Sequence, residues 1–232
     1  SVELIGWLEN KMLLYTEKER QDFQRINKGT NVPGRKGILL DIQTSAKEIS
    51  SSPDYGSMSL ICLNPAAIAV EDMGNSQDEN IQEFKKFIGF SKANPVAAVR
   101  TVHRLNPRQE VSADYMITWF TPNISFSEKA QGMTVEGADF HFYTKQFSSA
   151  ADVAEYLSSH YKMLREQTLL WKNTWYDSTL PHWFLERTFM NISTLATTTS
   201  HRFKSGRFYA WEGVGCCHGT CTHVYQYAHA MS

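Results

Sequence analysis

The stretch SSAADVAEYLSSHYKMLREQTLLWKNTWYD, residues 148–177, separates a part of the chain with strand periodicity from a part with helix periodicity. Its apolar residues recur at intervals of three and four, which predicts one long amphipathic helix. Ser148 or Ser149 is a suitable N-cap, because a serine hydroxyl accepts a hydrogen bond from a backbone N–H of the first turn. The predicted apolar stripe consists of Val153, Tyr156, Leu157, Tyr161, Leu164 and Leu169.

The chain before Phe147 has the pattern of β-strands. Short apolar or alternating runs are separated by Gly, Pro, Asn and Ser, which predicts antiparallel sheets in a sandwich. The runs are SVELIGWLEN (1–10), KGILLDIQ (36–43), SMSLICLN (57–64), AIAVE (67–71), DYMITWFTPN (114–123) and FHFYTKQF (140–147). Residues 75–92 have helical spacing and predict a short amphipathic helix. Residues 25–35 predict a surface loop, because they include Asn31, Pro33 and Gly34.

Two further helices are predicted after residue 177. DSTLPHWFLERTFMNISTLATTTS (177–200) places Phe184, Leu185, Thr188, Ile192 and Leu195 on one face, and THVYQYAHAMS (222–232) begins another helix. The chain starts inside a strand pattern and stops a turn or two into this last helix. We therefore expect the 232 residues to be a segment of a longer protein.

Composition favours a soluble globular protein and argues against two classes of partner. The chain is 42% hydrophobic and 20% charged, with a formal net charge of -1. Nucleic acids and anionic membrane surfaces attract proteins with a clustered Lys/Arg excess, so we expect neither as a partner. No apolar run approaches the roughly 20 residues that span a bilayer. The sequence does not indicate the cellular compartment of the protein. It is compatible with a homo-oligomer.

The loop GRFYAWEGVGCCHGTCTHVYQYAHA, residues 206–230, carries the candidate chemistry. Glu212 stands between Trp211 and Gly213, in a loop rich in aromatic residues and glycine. Pyranose faces stack on aromatic rings and sugar hydroxyls bind charged acceptors, so a carboxylate among aromatics favours a carbohydrate cleft. His223 lies on the same loop, where its ring N–H can donate a hydrogen bond to a bound hydroxyl.

Other interpretations of this loop remain open at the level of the residues. Cys217, Cys221 and His223, with Cys216 or His218, offer enough ligands for a structural zinc site. The spacing does not favour zinc, because structural sites usually pair two short Cys/His hooks from distant segments. A cysteine nucleophile is a weaker hypothesis. A carbohydrate-binding module without catalysis is a third, in which Glu212 acts only as a hydrogen-bond acceptor.

Four motifs resemble the glycoside hydrolases of family 116, which include bacterial β-glucosidases and the animal non-lysosomal glucosylceramidase. They are ELIGWLEN (3–10), ITWFTPN (117–123), WYDSTLPHWFLER (175–187), and GRFYAWEG (206–213) with CTHVYQYAHA (221–230). They occur in the family's order and cover most of the chain, and the last two are the more specific.

The resemblance implies a fold with two parts. Residues 1–147 would form an antiparallel β-sandwich, and residues 148–232 would form the first helices of an (α/α)6 helical solenoid, the catalytic domain of the family. The implied activity is that of a retaining β-glycosidase, acting on β-glucosides or related glycosides, including glycolipids, through a covalent glycosyl-enzyme intermediate. The implied chemistry uses no cofactor and no metal.

The resemblance also implies roles for single residues. Glu212 matches the nucleophile of the family's aromatic-Glu-Gly motif, and Arg207, Trp211, Thr222 and His223 would contact the substrate. His223 stands eleven positions beyond Glu212, where relatives have an acidic residue that contacts the sugar, so the sugar preference is open. The family's general acid/base is an aspartate that would lie beyond Ser232. We therefore expect this chain alone to be inactive on ordinary glycosides and to act with the remainder of the catalytic domain.

Overall fold

The computed structural model describes residues 1–13, 22–90, 94–124, 140–189 and 200–210. Contacts between Cα atoms divide the chain into two units. The first unit is Ser1–Asn123 with Phe147–Ser159, and the second is Ile124–Gln146 with His160–Ser232. No helix in the described ranges is long and apolar enough to cross a membrane.

The described part of the chain forms nine strands in three antiparallel sheets. The strands are β1 (Val2–Glu9), β2 (Gln24–Val32), β3 (Arg35–Gln43), β4 (Ser57–Cys62), β5 (Ile68–Val70), β6 (Val96–His103), β7 (Tyr115–Phe120), β8 (Ser200–Arg202) and β9 (Phe208–Ala210). The first unit contains a three-stranded sheet with the order β1-β6-β5 and a four-stranded sheet with the order β2-β3-β4-β7. Strands β8 and β9 pair with each other in the second unit.

Four α-helices and one 3₁₀ helix connect or cover the strands in the described ranges. They are α1 (Lys47–Ser50), α2 (Glu79–Phe87), the 3₁₀ helix (Phe142–Lys145), α3 (Ala150–Tyr176) and α4 (His182–Phe189). Helix α3 runs from the first unit into the second, since the boundary between the units follows Ser159.

The two sheets of the first unit share one apolar core. Alternate residues of β3 and β4 pack with alternate residues of β6, because side chains one position apart in a strand lie on opposite faces. The fully or almost fully buried members are Ile38, Leu40, Leu60, Cys62, Ala67, Ala97 and Val99. The opposite face of each sheet is covered by a helix.

Helix α2 covers the outer face of the three-stranded sheet. The carboxylate of Asp78 caps the helix by accepting hydrogen bonds from the N–H groups of Asn80 and Ile81, at 3.1 and 3.2 Å. The Ile81 side chain is fully buried and packs with Val96 and Ala98 of β6. The amphipathic helix predicted within residues 75–92 is therefore confirmed.

Arg100 of β6 lies at the centre of a charged network between this sheet and α2. Its guanidinium Nη1 donates to both carboxylate oxygens of Glu3 at 2.9 Å, and its Nη2 donates to the capping residue Asp78. The Nδ2 amide of Asn80 donates to Glu3 at 2.8 Å. Only 9% of the Arg100 side chain is exposed, so this ion pair is largely withdrawn from solvent.

The first turn of α3 is capped by two serines and an aspartate. Ser149 Oγ accepts a hydrogen bond from the N–H of Asp152 at 3.1 Å, as expected of an N-cap. The Asp152 carboxylate in turn accepts from the Ser148 N–H at 2.9 Å and from the Ser148 hydroxyl. These bonds from Ser148 lower the pKa of Asp152 below its ordinary value. The long helix predicted from residue 148 is confirmed.

The most deeply buried residues of α3 lie beside the predicted apolar stripe. The buried residues are Ala150, Ala154 and Ser158, which recur every fourth position, whereas Tyr156 is 45% exposed. Ala154 packs against Ile61 and Met116 on the outer face of the four-stranded sheet. Leu157 of the predicted stripe packs against the same cluster, and Val153, Tyr161, Leu164 and Leu169 are half-buried. The stripe was therefore largely correct, but the most deeply buried positions are small residues beside it.

Close packing of α3 on the four-stranded sheet includes polar contacts. The N–H of Ala150 donates to Ser57 Oγ at 3.0 Å, and Thr118 Oγ1 donates to the Ala150 carbonyl at 2.7 Å. Ser59 and Thr118 share a further hydrogen bond at 2.7 Å. These bonds join the helix start to β4 and β7.

The prediction of an (α/α)6 helical solenoid is wrong for the described part of the chain. Residues 148–210 contain α3, α4 and a two-stranded sheet, and the fold is mostly β. Helices of a solenoid bury their apolar faces against other helices. The buried residues of α3 instead lie in its first third, and Ala154 contacts strands. The helical period was therefore recognised correctly, but it does not specify what the helix packs against.

Three predictions for individual segments of residues 1–147 were also wrong. Residues 25–35, predicted as a loop, form most of β2 and the turn to β3. Strand β2 lies at the edge of its sheet, and only Val32 of its residues is buried, so it has little apolar patterning. The segment 140–147, predicted as a strand, contains the 3₁₀ helix instead. Strand β6 was missed, although it is central to its sheet.

Candidate functional site

Of the predicted site residues, only Arg207 lies within the described part of the chain. Glu212, Trp211, Thr222 and His223 fall in residues 211–232, outside the described residues. Arg207 is exposed and directly precedes β9. Its carbonyl accepts a hydrogen bond from the Phe203 N–H at 2.9 Å, so its backbone is held although its side chain projects into solvent.

The hairpin formed by β8 and β9 leads directly to the Glu212 motif. Its register pairs Ser200 with Ala210, His201 with Tyr209 and Arg202 with Phe208. Gly206 closes the turn with φ at 98°, a left-handed conformation that glycine adopts without strain. Strand β9 ends at Ala210, two residues before Glu212 in the sequence.

A third short segment pairs with this hairpin. His141 and Phe203 form an antiparallel bridge, and the Lys204 N–H donates to the Phe140 carbonyl at 2.8 Å. The segment containing the 3₁₀ helix is thereby fixed against β8. Residues 140–146 and 200–210 form one local structure within the second unit, which we call the hairpin cluster.

One face of the hairpin cluster combines histidines with aromatic rings. The ring centroids of His141 and His201 lie 5.4 Å apart, and His141 stacks on Tyr143 at 5.3 Å. Phe203 is fully buried, and its ring meets the edge of the Tyr209 ring at 5.4 Å. Both histidines are half-buried.

The environment keeps both histidines neutral near pH 7. Burial, together with the smaller effect of the neighbouring His201, lowers the pKa of His141 to about 4. Burial also lowers the pKa of His201. A neutral imidazole has one donor and one acceptor nitrogen, so each ring can exchange hydrogen bonds with a hydroxyl group. This chemistry suits a site that binds sugar hydroxyls.

We expect the stability of the protein to fall between about pH 6.5 and pH 4 partly because of His141. The folded-state pKa of His141 is about 4 against an ordinary value of 6.5, so the unfolded chain binds more protons in that window. The contribution is fully present above pH 6.5 and is lost as the pH falls toward 4. Thermal unfolding measured from pH 7 to pH 4 checks this: His141→Gln should lose less stability than the unchanged protein over that range.

The control for this measurement is His182→Gln, which alters an exposed histidine of α4. That variant should follow the pH dependence of the unchanged protein. Carboxylates with lowered pKa values, such as Asp152, lose their contribution to stability mainly below their ordinary pKa of 3.8, and they do so in every variant. If His141→Gln and His182→Gln lost stability identically as the pH falls, His141 would not be a cause of that loss.

Sequence analysis missed the two histidines of the cluster. Neither His141 nor His201 was assigned a role from the sequence. A partial signal was present in FHFY (140–143), where His141 stands between two phenylalanines, whereas HRFK (201–204) has no strict alternation. The pairing of His141 with Phe203 could not be predicted, since it joins segments about 60 residues apart.

The metal hypothesis concerns residues outside the described ranges. Within those ranges no group of three or more His, Cys, Asp or Glu side chains is placed to hold a metal ion. Cys216, Cys217, His218, Cys221 and His223 lie beyond Ala210. The zinc alternative therefore stays a hypothesis.

In comparisons with known proteins, no protein-family model and no curated protein matches this chain. A functional assignment therefore depends on the residues of the chain itself.

Proposed function

We propose that this chain provides the nucleophile of a retaining β-glycosidase, and that Glu212 is that nucleophile. The supporting observation is the motif AWEG (210–213), which begins at the last residue of β9, in a chain whose four motifs resemble family 116 glycoside hydrolases in content and order. The hairpin cluster contains β9 and places rings and neutral histidines together, namely Tyr209, His201 and His141. Rings and neutral donors are the groups that carbohydrate sites use.

The proposed reaction has two displacement steps. The Glu212 carboxylate attacks the anomeric carbon, the bond to the leaving-group oxygen breaks, and a glycosyl ester with Glu212 forms. Water then attacks the same carbon, releases the sugar and restores the carboxylate. An ordinary leaving group must receive a proton from a general acid, and the same residue later takes a proton from water.

The remaining residues receive roles from the resemblance. Trp211, Thr222, His223 and Arg207 contact the bound sugar. The remainder of the catalytic domain supplies the general acid/base. The substrate is a β-linked glycoside, with a sugar, an aryl alcohol or a lipid as leaving group.

The proposal is tested by trapping the covalent intermediate on the 232-residue chain. The probe is a β-glucoside with fluorine in place of the hydroxyl next to the anomeric carbon and a dinitrophenyl leaving group. Such a leaving group departs without protonation, so labelling does not require the general acid. Fluorine slows the hydrolysis of the ester, and mass spectrometry of peptides should locate the sugar on Glu212.

Two results would oppose the proposal. One is a chain that stays unlabelled although it binds the probe. The other is a label on a different residue. Glu186→Gln is the matched control, because it changes an exposed glutamate of α4 by the same substitution and should leave labelling unchanged.

A further inference from the structure

The second face of the hairpin cluster is covered by cations and aromatic rings. The Arg202 guanidinium carbon lies 3.6 Å from the centre of the Phe142 ring, and Lys145 Nζ lies 5.0 Å from the same ring. Lys204 Nζ lies 5.3 Å from the centre of the Phe140 ring. We call these five residues, together with Phe208, the Arg202 surface.

The Arg202 surface has no acidic residue of its own. Residues 140–146 and 200–210 contain Lys145, Arg202, Lys204 and Arg207 but no Asp or Glu. In the described ranges no ion pair involves any of these four cations. Lys145 and Arg202 both lie within about 5 Å of one ring, so two positive charges repel each other there. A bound anion would relieve this repulsion.

Stacking prepares Arg202 to bind such an anion. A guanidinium on an aromatic face is restrained by the ring, while its N–H groups, which lie in the guanidinium plane, remain free to donate. Those donors form a fork that matches the two oxygens of a carboxylate or sulfate. Because the side chain is already ordered, binding costs less conformational entropy than it would for a mobile arginine.

An exposed ring lies next to this guanidinium. Phe208 is paired with Arg202 across the hairpin, and 51% of its surface is exposed. A pyranose ring stacks on such a face. Phe140 and Phe142 are already covered by cations, which makes them less suitable for insertion into a lipid layer.

We propose that the Arg202 surface binds an acidic saccharide, with its carboxylate or sulfate on Arg202 and its sugar ring on Phe208. Lys145 and Lys204 strengthen the attraction for the anion from either side. The choice of a saccharide rests on the proposed glycosidase function, whereas the anion and ring contacts rest on the geometry of the hairpin cluster. This assigns the surface a preference for acidic over neutral sugars.

The test compares two disaccharides that differ in one group. Cellobiouronic acid has a carboxylate where cellobiose has a hydroxymethyl group, and calorimetry at low salt measures the Kd of each for the full chain. We expect cellobiouronic acid to bind at least about tenfold more tightly, since charge-assisted hydrogen bonds are the stronger ones. Arg202→Gln should abolish that difference. Lys36→Gln removes an exposed cation from β3 and should preserve it.

The other results of these measurements would either overturn the proposal or retain it. Equal binding of the two disaccharides would overturn it, as would an equal loss in Arg202→Gln and Lys36→Gln. Arg202-dependent binding of phosphatidylserine vesicles or single-stranded DNA, without binding of cellobiouronic acid, would assign the surface to a different partner. If the unchanged protein binds cellobiouronic acid through Arg202 but is not labelled at Glu212, this proposal is retained and the glycosidase function is removed. Glu212→Gln should then bind cellobiouronic acid as the unchanged protein does. Thermal unfolding of each variant checks that it is folded.

Discussion

Glu212→Gln should lower the rate at which the chain is glycosylated by the fluorinated β-glucoside at least about 10⁴-fold. The amide is neutral and isosteric, so it fills the same space but lacks the negative charge that attacks the anomeric carbon. Binding of the intact glycoside should change far less than the rate. Intact-protein mass spectrometry over time measures the rate, and calorimetry measures the binding.

A second substitution distinguishes a nucleophile from a residue that only binds sugar. Glu212→Gly removes the side chain and leaves room for azide, a small anionic nucleophile. With an activated β-glucoside, azide should restore turnover and give the α-glycosyl azide, because it attacks from the face that Glu212 occupied. A β-configured product, or undiminished labelling in Glu212→Gln, would remove Glu212 from the proposed role.

Arg100→Ala should lower the free energy of unfolding of the first unit by about 3 kcal/mol or more, within the range found when one partner of a buried ion pair is removed. Two carboxylates, those of Glu3 and Asp78, would lose their shared counter-charge next to a covered sheet face. Asp78 also caps α2, so the start of that helix is weakened as well. Urea unfolding followed by far-ultraviolet circular dichroism measures the change.

A matched substitution separates burial from charge. Lys28→Ala breaks an ion pair with Asp41 of similar length, 2.8 Å, but 51% of the Lys28 side chain is exposed. Its cost should stay below about 1 kcal/mol, because water screens exposed charges. Similar costs for the two variants would mean that the Arg100 network contributes no more than a surface pair.

Local patterns in the sequence were sufficient to predict several elements. The helical period of residues 148–177 and the serines before it correspond to α3, and the acidic start of residues 75–92 corresponds to α2 with its Asp78 cap. The runs at 36–43, 57–64 and 114–123 correspond to β3, β4 and β7. These predictions succeeded because capping and side-chain alternation involve residues only a few positions apart.

The candidate site was predicted only in part. Glu212 was singled out from its aromatic and glycine neighbours, and its role stays a prediction because it lies outside the described residues. The histidine pair and the Arg202 surface were not predicted. Both depend on residues 140–146 lying beside residues 200–210, a pairing between segments far apart in the chain. No local pattern specifies such a partner.

The sequence by itself determined where α2, α3 and several strands form, and which segment holds a carboxylate among aromatic residues. Only the tertiary structure decided that α3 packs through Ala150 and Ala154 on a sheet, and that His141 meets His201. The physical reason is that periodicity shows which face of an element is apolar, whereas the partner of that face depends on shape, on hydrogen bonds and on contacts between distant residues.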